Sequence, residues 1–487
     1  MTPTDLRARR RALYALCTGM LMIVLDATIV NVALPSIRED LGFSASGLAW
    51  VINAYLIAFG GLLLLAGRLG DLAGQRRIFL AGLAVFTGAS VACGAAVNPA
   101  MLIAARFVQG AGGALTSAVI LSLIVTLFPE PREQARAVGV YAFVASAGGA
   151  VGLLAGGVLT QWVTWHWIFF VNVPIGLATM VAAVRLLPAG TRLGRRAGAD
   201  VLGAALITSA LMLAVYTLVV PAAEDGWTAT STLVCGAISV ALVAAFLVRQ
   251  GTAAAPLMPL RILRSTTVAG ANVVQALGAS GMFGAFFLGT LYLQQVLGYG
   301  PLEIGLAFLP VTVLMGGLSV RYSERLMTRF GAQRVMVTGL LFVAAGMVFF
   351  AIAPVNARYV VDVLPATVLI GIGAGLCFPP TMTLAMTGVR PSDAGLASGL
   401  VNTTGQVGGA IGLSILTTVS IERSTALRES GSAVLDAMTG GYHAAFWIAM
   451  VLILAAVATA LTVLRPARTA PAPAVEPAEE ELLPAAA

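Results

Sequence analysis

The stretch GRLGDLAGQRR, residues 67–77, is a charged, glycine-rich turn set between two apolar runs, and it returns later in the chain as ERLMTRFGAQR, residues 324–334. At an offset of 257, Arg68, Leu69, Gly74, Arg77, Gly82 and Leu83 fall on Arg325, Leu326, Gly331, Arg334, Gly339 and Leu340. The same offset lays the glycine-rich run 148–157 on GQVGGAIGLS, 405–414, so the chain consists of two related halves.

Reading outward from the first copy, apolar stretches fall at about 12–36, 48–67, 78–97, 101–128, 135–160 and 166–187. The second copy lies among those at about 267–296, 304–322, 334–354, 359–386, 395–421 and 442–464, with a further pair at about 200–220 and 231–249 outside the repeat. A bilayer-spanning helix takes roughly 20 apolar residues, so this spacing predicts fourteen spans: an all-α polytopic membrane protein of two six-helix bundles plus two central helices. The expected divisions are a cytoplasmic segment 1–11, a bundle 12–190, a two-helix insertion 191–255, a second bundle 256–464 and a disordered Pro/Ala-rich acidic tail 465–487. Composition agrees: of 487 residues 59% are hydrophobic and 10% charged, against roughly 25% charged in a soluble domain. The basic N-terminus ahead of the first apolar run has no small-residue cleavage site before Pro35, and reads as the start of an uncleaved span.

All 28 basic residues are arginine, and they give a net charge of +7. With the N-terminus inside, 23 of them fall in cytoplasmic segments, four (38, 358, 423, 428) outside, and Arg106 within a span. Arginine retention sets orientation, which places both termini in the cytoplasm and requires an even number of spans. A nucleic-acid surface would need a clustered basic face, and scattered arginines exclude one. Cys17, Cys93, Cys235 and Cys377 stand in four separate apolar stretches without metal-ligand spacing, and there are only two histidines, His166 and His443. No phosphate-binding GxxxxGK[ST] loop is present. Neither a cofactor, a metal nor an enzymatic centre is expected.

The remaining polar residues carry the chemistry. Asp26, in LDATIVNVALP (25–35), lies mid-span, where a carboxylate must be neutralised or paired and can serve as a proton carrier. Arg106, in AARFVQGAGGA (104–114), lies at a similar depth, so a helix motion bringing the two together or apart would alter the proton affinity of Asp26. Gly67, Asp71, Gly74, Arg76 and Arg77 form a turn able to latch the cytoplasmic side. Gly148, Gly152 and Gly156 recur at four-residue intervals beside Gly157, a smooth face for helix packing. Asn31, Tyr55, Gln109, Asn172, Gln275, Gln295, Asn402 and Gln406 are placed to line a central cavity, though each could equally bond between helices. Trp162, Trp165 and Trp167 read as an interfacial belt. Asp362, near the outer end of its stretch, is the only other acidic residue assigned to a span, which leans toward neutral, zwitterionic or weakly charged substrates.

On LDATIVNVALP, GRLGDLAGQRR, AARFVQGAGGA and WHWIFFVNVPIG (165–176), the sequence resembles the major facilitator superfamily, and within it the fourteen-helix drug:proton antiporters, over about residues 10–465. The resemblance implies a monomer in the cell membrane that exports lipophilic drugs or antibiotics in exchange for protons, by rocking of two bundles. It gives Asp26 and Arg106 the proton-coupling roles, Asp71 with Arg76 and Arg77 the gating role, and the helix 5 glycines the antiporter motif. Three departures stand out. Leu153 occupies the motif proline, Leu72 and Gln75 occupy usually basic positions, and Thr328 replaces the acidic residue of the second copy. The alternatives are a dedicated exporter of one endogenous metabolite or lipid and a non-transporting receptor or scaffold.

Overall fold

The computed structural model describes residues 3–464 apart from 45–46, 129, 188–199, 220, 222–225, 254–255, 258–259 and 388–393. The division points expected at 190 and 255, the arginines at 192, 195, 196, 390, 465 and 468, and the tail lie outside the described residues.

Fourteen long helices run through the described residues. The first six are α1 (Pro3–Leu41), α2 (Trp50–Ala73), α3 (Gln75–Gly94), α4 (Pro99–Leu127), α5 (Pro131–Trp162) and α6 (Asn172–Leu186). The pair α7 (Val201–Val219) and α8 (Thr230–Thr252) follows. The last six are α9 (Thr266–Gln295), α10 (Pro301–Arg321), α11 (Ala332–Ala351), α12 (Leu364–Met386), α13 (Ala394–Glu429) and α14 (Val434–Thr462). Thirteen stretches among the described residues are long and apolar enough to cross a membrane. The remaining long helix, α5, has 32 residues, and its described apolar part is Val151–Trp162. Helices are the natural solution for an open chain in hydrocarbon, because each satisfies its own backbone polar groups there.

Several boundaries depart from the apolar limits. With 39 residues, α1 rises ~58 Å, well beyond a hydrocarbon core of ~30 Å. Its polar ends continue the helix past the membrane-length run, and Pro35 lies inside it. The stretch expected at 166–187 is two pieces, a single turn Trp167–Phe170 and then α6. Pro174 has no N–H to return to the Phe170 carbonyl, so the ladder restarts at Asn172. Asp362 lies in a π-helical turn, Tyr359–Val363, ahead of α12, and its Oδ2 accepts the Arg358 N–H at 2.7 Å. That carboxylate is committed to its own turn.

The two halves pack alike. In the first, α1 lies on α5 and α6, α4 on α2 and α3, and α3 on α6. In the second, α9 lies on α13 and α14, α12 on α10 and α11, and α11 on α14. Gly74 and Gly331, 257 positions apart, end one helix and begin the next with φ of 96° and 85°, a backbone state that favours glycine. The halves meet chiefly along two seams, α2 with α13 and α5 with α10. The α7–α8 pair attaches through α7, which touches both α2 and α13 and buries Ala204, Thr208, Leu211 and Val215 along one stripe.

Close approach of helices rests on the glycines. A Cβ at Gly152 would collide with Thr28 Oγ1 and stand 3.0 Å from the Leu25 carbonyl, both on α1. Gly148 and Gly156 meet Val24 and Ile29 on the same helix, while Gly157 meets Leu302 of α10. The second half repeats the device: Gly405, Gly408, Gly409 and Gly412 of α13 meet Gln275, Ala276, Phe283 and Ser280 of α9. Leu153, at the motif proline, is 1% exposed and presents its carbonyl to Gly305 of α10.

Candidate functional site

Five helices of the first half, together with the turn before α6, converge on Asp26. This residue is 0% exposed, and Arg106 is 1% exposed. Arg106 reaches from α4 to donate through an NH1 hydrogen to Asp26 Oδ2 at 2.6 Å, and the same nitrogen donates to Gln109 Oε1 at 2.7 Å. Its Nε donates to the Val51 carbonyl at 2.9 Å, at the start of α2. The guanidinium carbon lies 4.4 Å from the centre of the Tyr55 ring and 5.8 Å from that of Phe169. A cation over an aromatic face is stabilised when desolvated, and here two rings cover it.

The other carboxylate oxygen, Asp26 Oδ1, accepts from Gln109 Nε2 at 2.7 Å and from Asn172 Nδ2 at 2.9 Å. Gln109 Nε2 also donates to Ser90 Oγ at 2.9 Å, and its Oε1 accepts from the Cys93 thiol at 3.6 Å. Arg106 and Gln109 are three apart on α4 and so share a face; Ser90 and Cys93 do the same on α3. The break before α6 sets Asn172 in the first turn of that helix, where its side chain meets α1. Two buried polar atoms of this cluster have no hydrogen-bond partner among the described residues, Tyr55 Oη and Asn172 Oδ1. The arrangement holds one negative and one positive charge away from solvent with almost every polar atom satisfied, the condition under which a buried ion pair is tolerated.

The structure thus groups Tyr55, Gln109 and Asn172, expected along a central cavity, with the Asp26–Arg106 pair inside the first half. Asn31 bonds back to the Ala27 and Thr28 carbonyls of its own helix. Gln295, at the C-terminal end of α9, accepts the Tyr442 hydroxyl at 3.0 Å. It borders a cavity of about 380 Å³ between the end of α1 and the end of α9, with Arg38, Glu39 and Gln294. Gln406 stands at the α2–α13 seam against Gly60, its Oε1 buried without a partner among the described residues. Gln275 lines a void of about 10 Å³ with Cys377 and Thr381, and Asn402 is exposed. Around the turn, Gly67 faces open space, Arg76 donates to the Val184 carbonyl of α6 and Arg77 is exposed, while the Asp71 side chain lies outside the described residues.

Ser90, Cys93, Phe169 and the Val51 carbonyl complete the cluster without having been singled out in the sequence. A small polar residue or a backbone carbonyl in an apolar helix carries no local mark. Only the 3.6-residue period of α3, once Gln109 is placed beside it, would point to Ser90 and Cys93.

A helical bundle in two related halves, with a sealed carboxylate–guanidinium pair in one of them, defines a membrane transporter. The family model for the Major Facilitator Superfamily matches residues 16–413, and the chain belongs to that superfamily. It is 40% identical over 452 residues to the puromycin resistance protein pur8 of Streptomyces alboniger, covering 91% of this chain and 89% of that one. It is also 40% identical over 414 residues to the cephamycin export protein CmcT of Amycolatopsis lactamdurans, covering 84% of each. Among solved structures, the fold is similar to a bacterial homolog of the human lysosomal transporter Spinster in an inward-facing and unoccupied conformation, with a TM-score of 0.67 at 16% identity, over 94% of this chain and 97% of that one.

Proposed function

We propose that this chain is a proton-driven exporter of small lipophilic compounds, antibiotics among them, working as a monomer in the cell membrane with both termini in the cytoplasm. The observation that carries this reading is the Asp26–Arg106 pair: a fully buried carboxylate held at 2.6 Å by a buried guanidinium, in a chain akin to resistance and export proteins. Asp26 takes up a proton when the pair loosens and gives it up when Arg106 returns, because the neighbouring cation favours the charged form. An elementary charge crossing 100 mV supplies about 2.3 kcal/mol, enough to drive uptake of a proton against export of substrate.

In this reading residues 12–190 and 256–464 are the two rocking bundles and 191–255 an insertion between them. The turn with Gly67, Asp71, Gly74, Arg76 and Arg77 latches the cytoplasmic side. The Gly148, Gly152, Gly156 and Gly157 face provides close, smooth packing on α1 and α10. Substrate is held between the bundles by polar groups at their faces, Gln275, Asn402 and Gln406 with Asn31, and leaves past Gln295.

The test is export in inverted membrane vesicles carrying an internal pH dye, with puromycin, a cephamycin and cationic, neutral and anionic antibiotics added in turn. Substrate-dependent proton movement in wild type that is absent in Asp26→Asn supports antiport. Export that Asp26→Asn leaves intact removes Asp26 from the coupling. A second reading, an exporter dedicated to one compound, is favoured by the single antibiotics in the two relatives' names, and export of a single member of the panel would establish it.

A further inference from the structure

Asp26 must exist in two forms if it carries a proton, and its surroundings suit only one of them as they stand. Every group on the carboxylate is a donor: Arg106 on Oδ2, Gln109 Nε2 and Asn172 Nδ2 on Oδ1. A carboxylate accepts all of these, but a carboxylic acid brings an O–H of its own and needs an acceptor. A proton on Oδ2 would point at the Arg106 cation. A proton on Oδ1 would point at two amide N–H groups, one of which has to turn away.

The two amides differ in their freedom to turn. Gln109 is tied at both ends, its Nε2 to Asp26 and Ser90, its Oε1 to Arg106 and Cys93. Rotating it would break four bonds. Asn172 gives one bond, from Nδ2 to Asp26, and its Oδ1, in a residue 0% exposed, is buried with no partner among the described residues. A buried acceptor left open is costly unless some state of the protein uses it. Turning the Asn172 amide by half a revolution exchanges the two ends. Oδ1 then faces Asp26 Oδ1 and accepts the new O–H, at the cost of a single bond that protonation has already made obsolete.

We propose that Asn172 is the proton-state partner of Asp26, its amide turning over each time Asp26 gains or loses its proton. The inference rests on the proton-carrying reading of Asp26. The only covalent change is one O–H bond made or broken at Asp26 Oδ1, the proton coming from and returning to water. Among the described residues, the other titratable or charged groups around Asp26 are Tyr55 on α2, Cys93 on α3 and Arg106 on α4, none of which has to change state. Asn172 is a positioning residue: it touches neither substrate nor the aqueous proton source, and it equalises the cost of the two states of Asp26.

The experiment is acid-induced infrared difference spectroscopy on the full chain in lipid, with Asp26→Asn used to assign the carboxyl C=O band. Asn172→Leu keeps the side-chain size but neither donates nor accepts, whereas Asn172→Ser replaces the amide by a hydroxyl on a shorter side chain that can do both. In wild type and Asn172→Ser the Asp26 band is expected at the position of a carboxylic acid that donates a hydrogen bond. In Asn172→Leu it moves to higher frequency, and puromycin-driven proton movement falls about tenfold. The pH midpoint of transport moves less than the rate does, because both protonation states lose a bond. A carboxyl band identical in wild type and in both Asn172 variants overturns the proposal, as does a midpoint displaced by a full unit in Asn172→Leu with the band unmoved, the result for a group that donates only to the carboxylate. An acid-induced spectrum with no band removed by Asp26→Asn overturns the proton-carrying reading itself, and so identifies which of the two has failed.

Discussion

Removal of Arg106 tests the buried pair most directly. In Arg106→Leu the Asp26 carboxylate keeps Gln109 and Asn172 but loses its counter-charge in a site with no solvent contact. Two charges about 4 Å apart at an effective dielectric constant of about 20 attract by ~4 kcal/mol, and breaking a buried pair from one side costs ~3–5 kcal/mol. The Val51 bond and the Tyr55 and Phe169 ring contacts go as well. Asp26→Asn strands the guanidinium in the same way, while Asp26→Asn with Arg106→Leu leaves no charge to strand. The double variant is therefore expected to lose less stability than the sum of the single ones, by ~0.5–3 kcal/mol. Unfolding in detergent can be followed with a thiol-reactive dye, since Cys17, Cys93 and Cys377 are buried and free. The expected order of stability is wild type, then the double variant, then Arg106→Leu. Losses that simply add, with the double variant the least stable, would refute the view that the two side chains form one desolvated pair.

The glycine contacts make opposite predictions at two sites. Gly152→Ala forces a methyl group onto Thr28 and the Leu25 carbonyl and is expected to destabilise by ~1–3 kcal/mol; Gly67→Ala, with open space around it within a helix, is expected to be neutral or to stabilise by up to ~1 kcal/mol in the same unfolding assay. At Gly74, where φ is 96°, alanine is strained and is expected to cost ~1–3 kcal/mol. Asp200, just ahead of α7, is raised by its burial, but the Gly203 N–H at 2.9 Å, Arg249 at 3.0 Å and Gln250 at 2.9 Å together hold it below the usual carboxylate range. Its folded-state value being lowered, the stability it contributes is fully present above the ordinary carboxylate value of about 3.9 and is lost as pH falls through the folded value. Proteolysis in the α7–α8 region should rise only in that acid range in wild type, and already at neutral pH in Asp200→Ala.

The helices, their number and the relation between the halves were legible because each rests on local information. Apolar runs of membrane length leave the backbone no other structure in lipid, and turns such as Gly74 and Gly331 recur at one offset. Asp26 and Arg106 were legible for a related reason, since an ionisable group in an apolar run stands out whatever it touches. What surrounds them was not legible. Tyr55, Gln109 and Asn172 read as cavity residues because a polar side chain on a helix of unknown rotation serves a cavity or a neighbour equally well. The break at Pro174 that turns Asn172 toward α1 has an effect only once α1 is placed beside it. Likewise Asp362 reads as a residue within a span, until its own turn claims the carboxylate.

By itself, then, the sequence determined the class of the protein, its two-fold internal repeat and the two charges that its interior must accommodate, because hydropathy, period and charge belong to single segments. Only the tertiary structure decided that those charges meet at 2.6 Å, that Gln109 is tied down while Asn172 is left with an open acceptor, and that α7 lies along one seam between the halves. Those outcomes depend on how helices far apart in the chain rotate and pack against one another, and that is set by interlocking side chains and glycine contacts that no single segment contains.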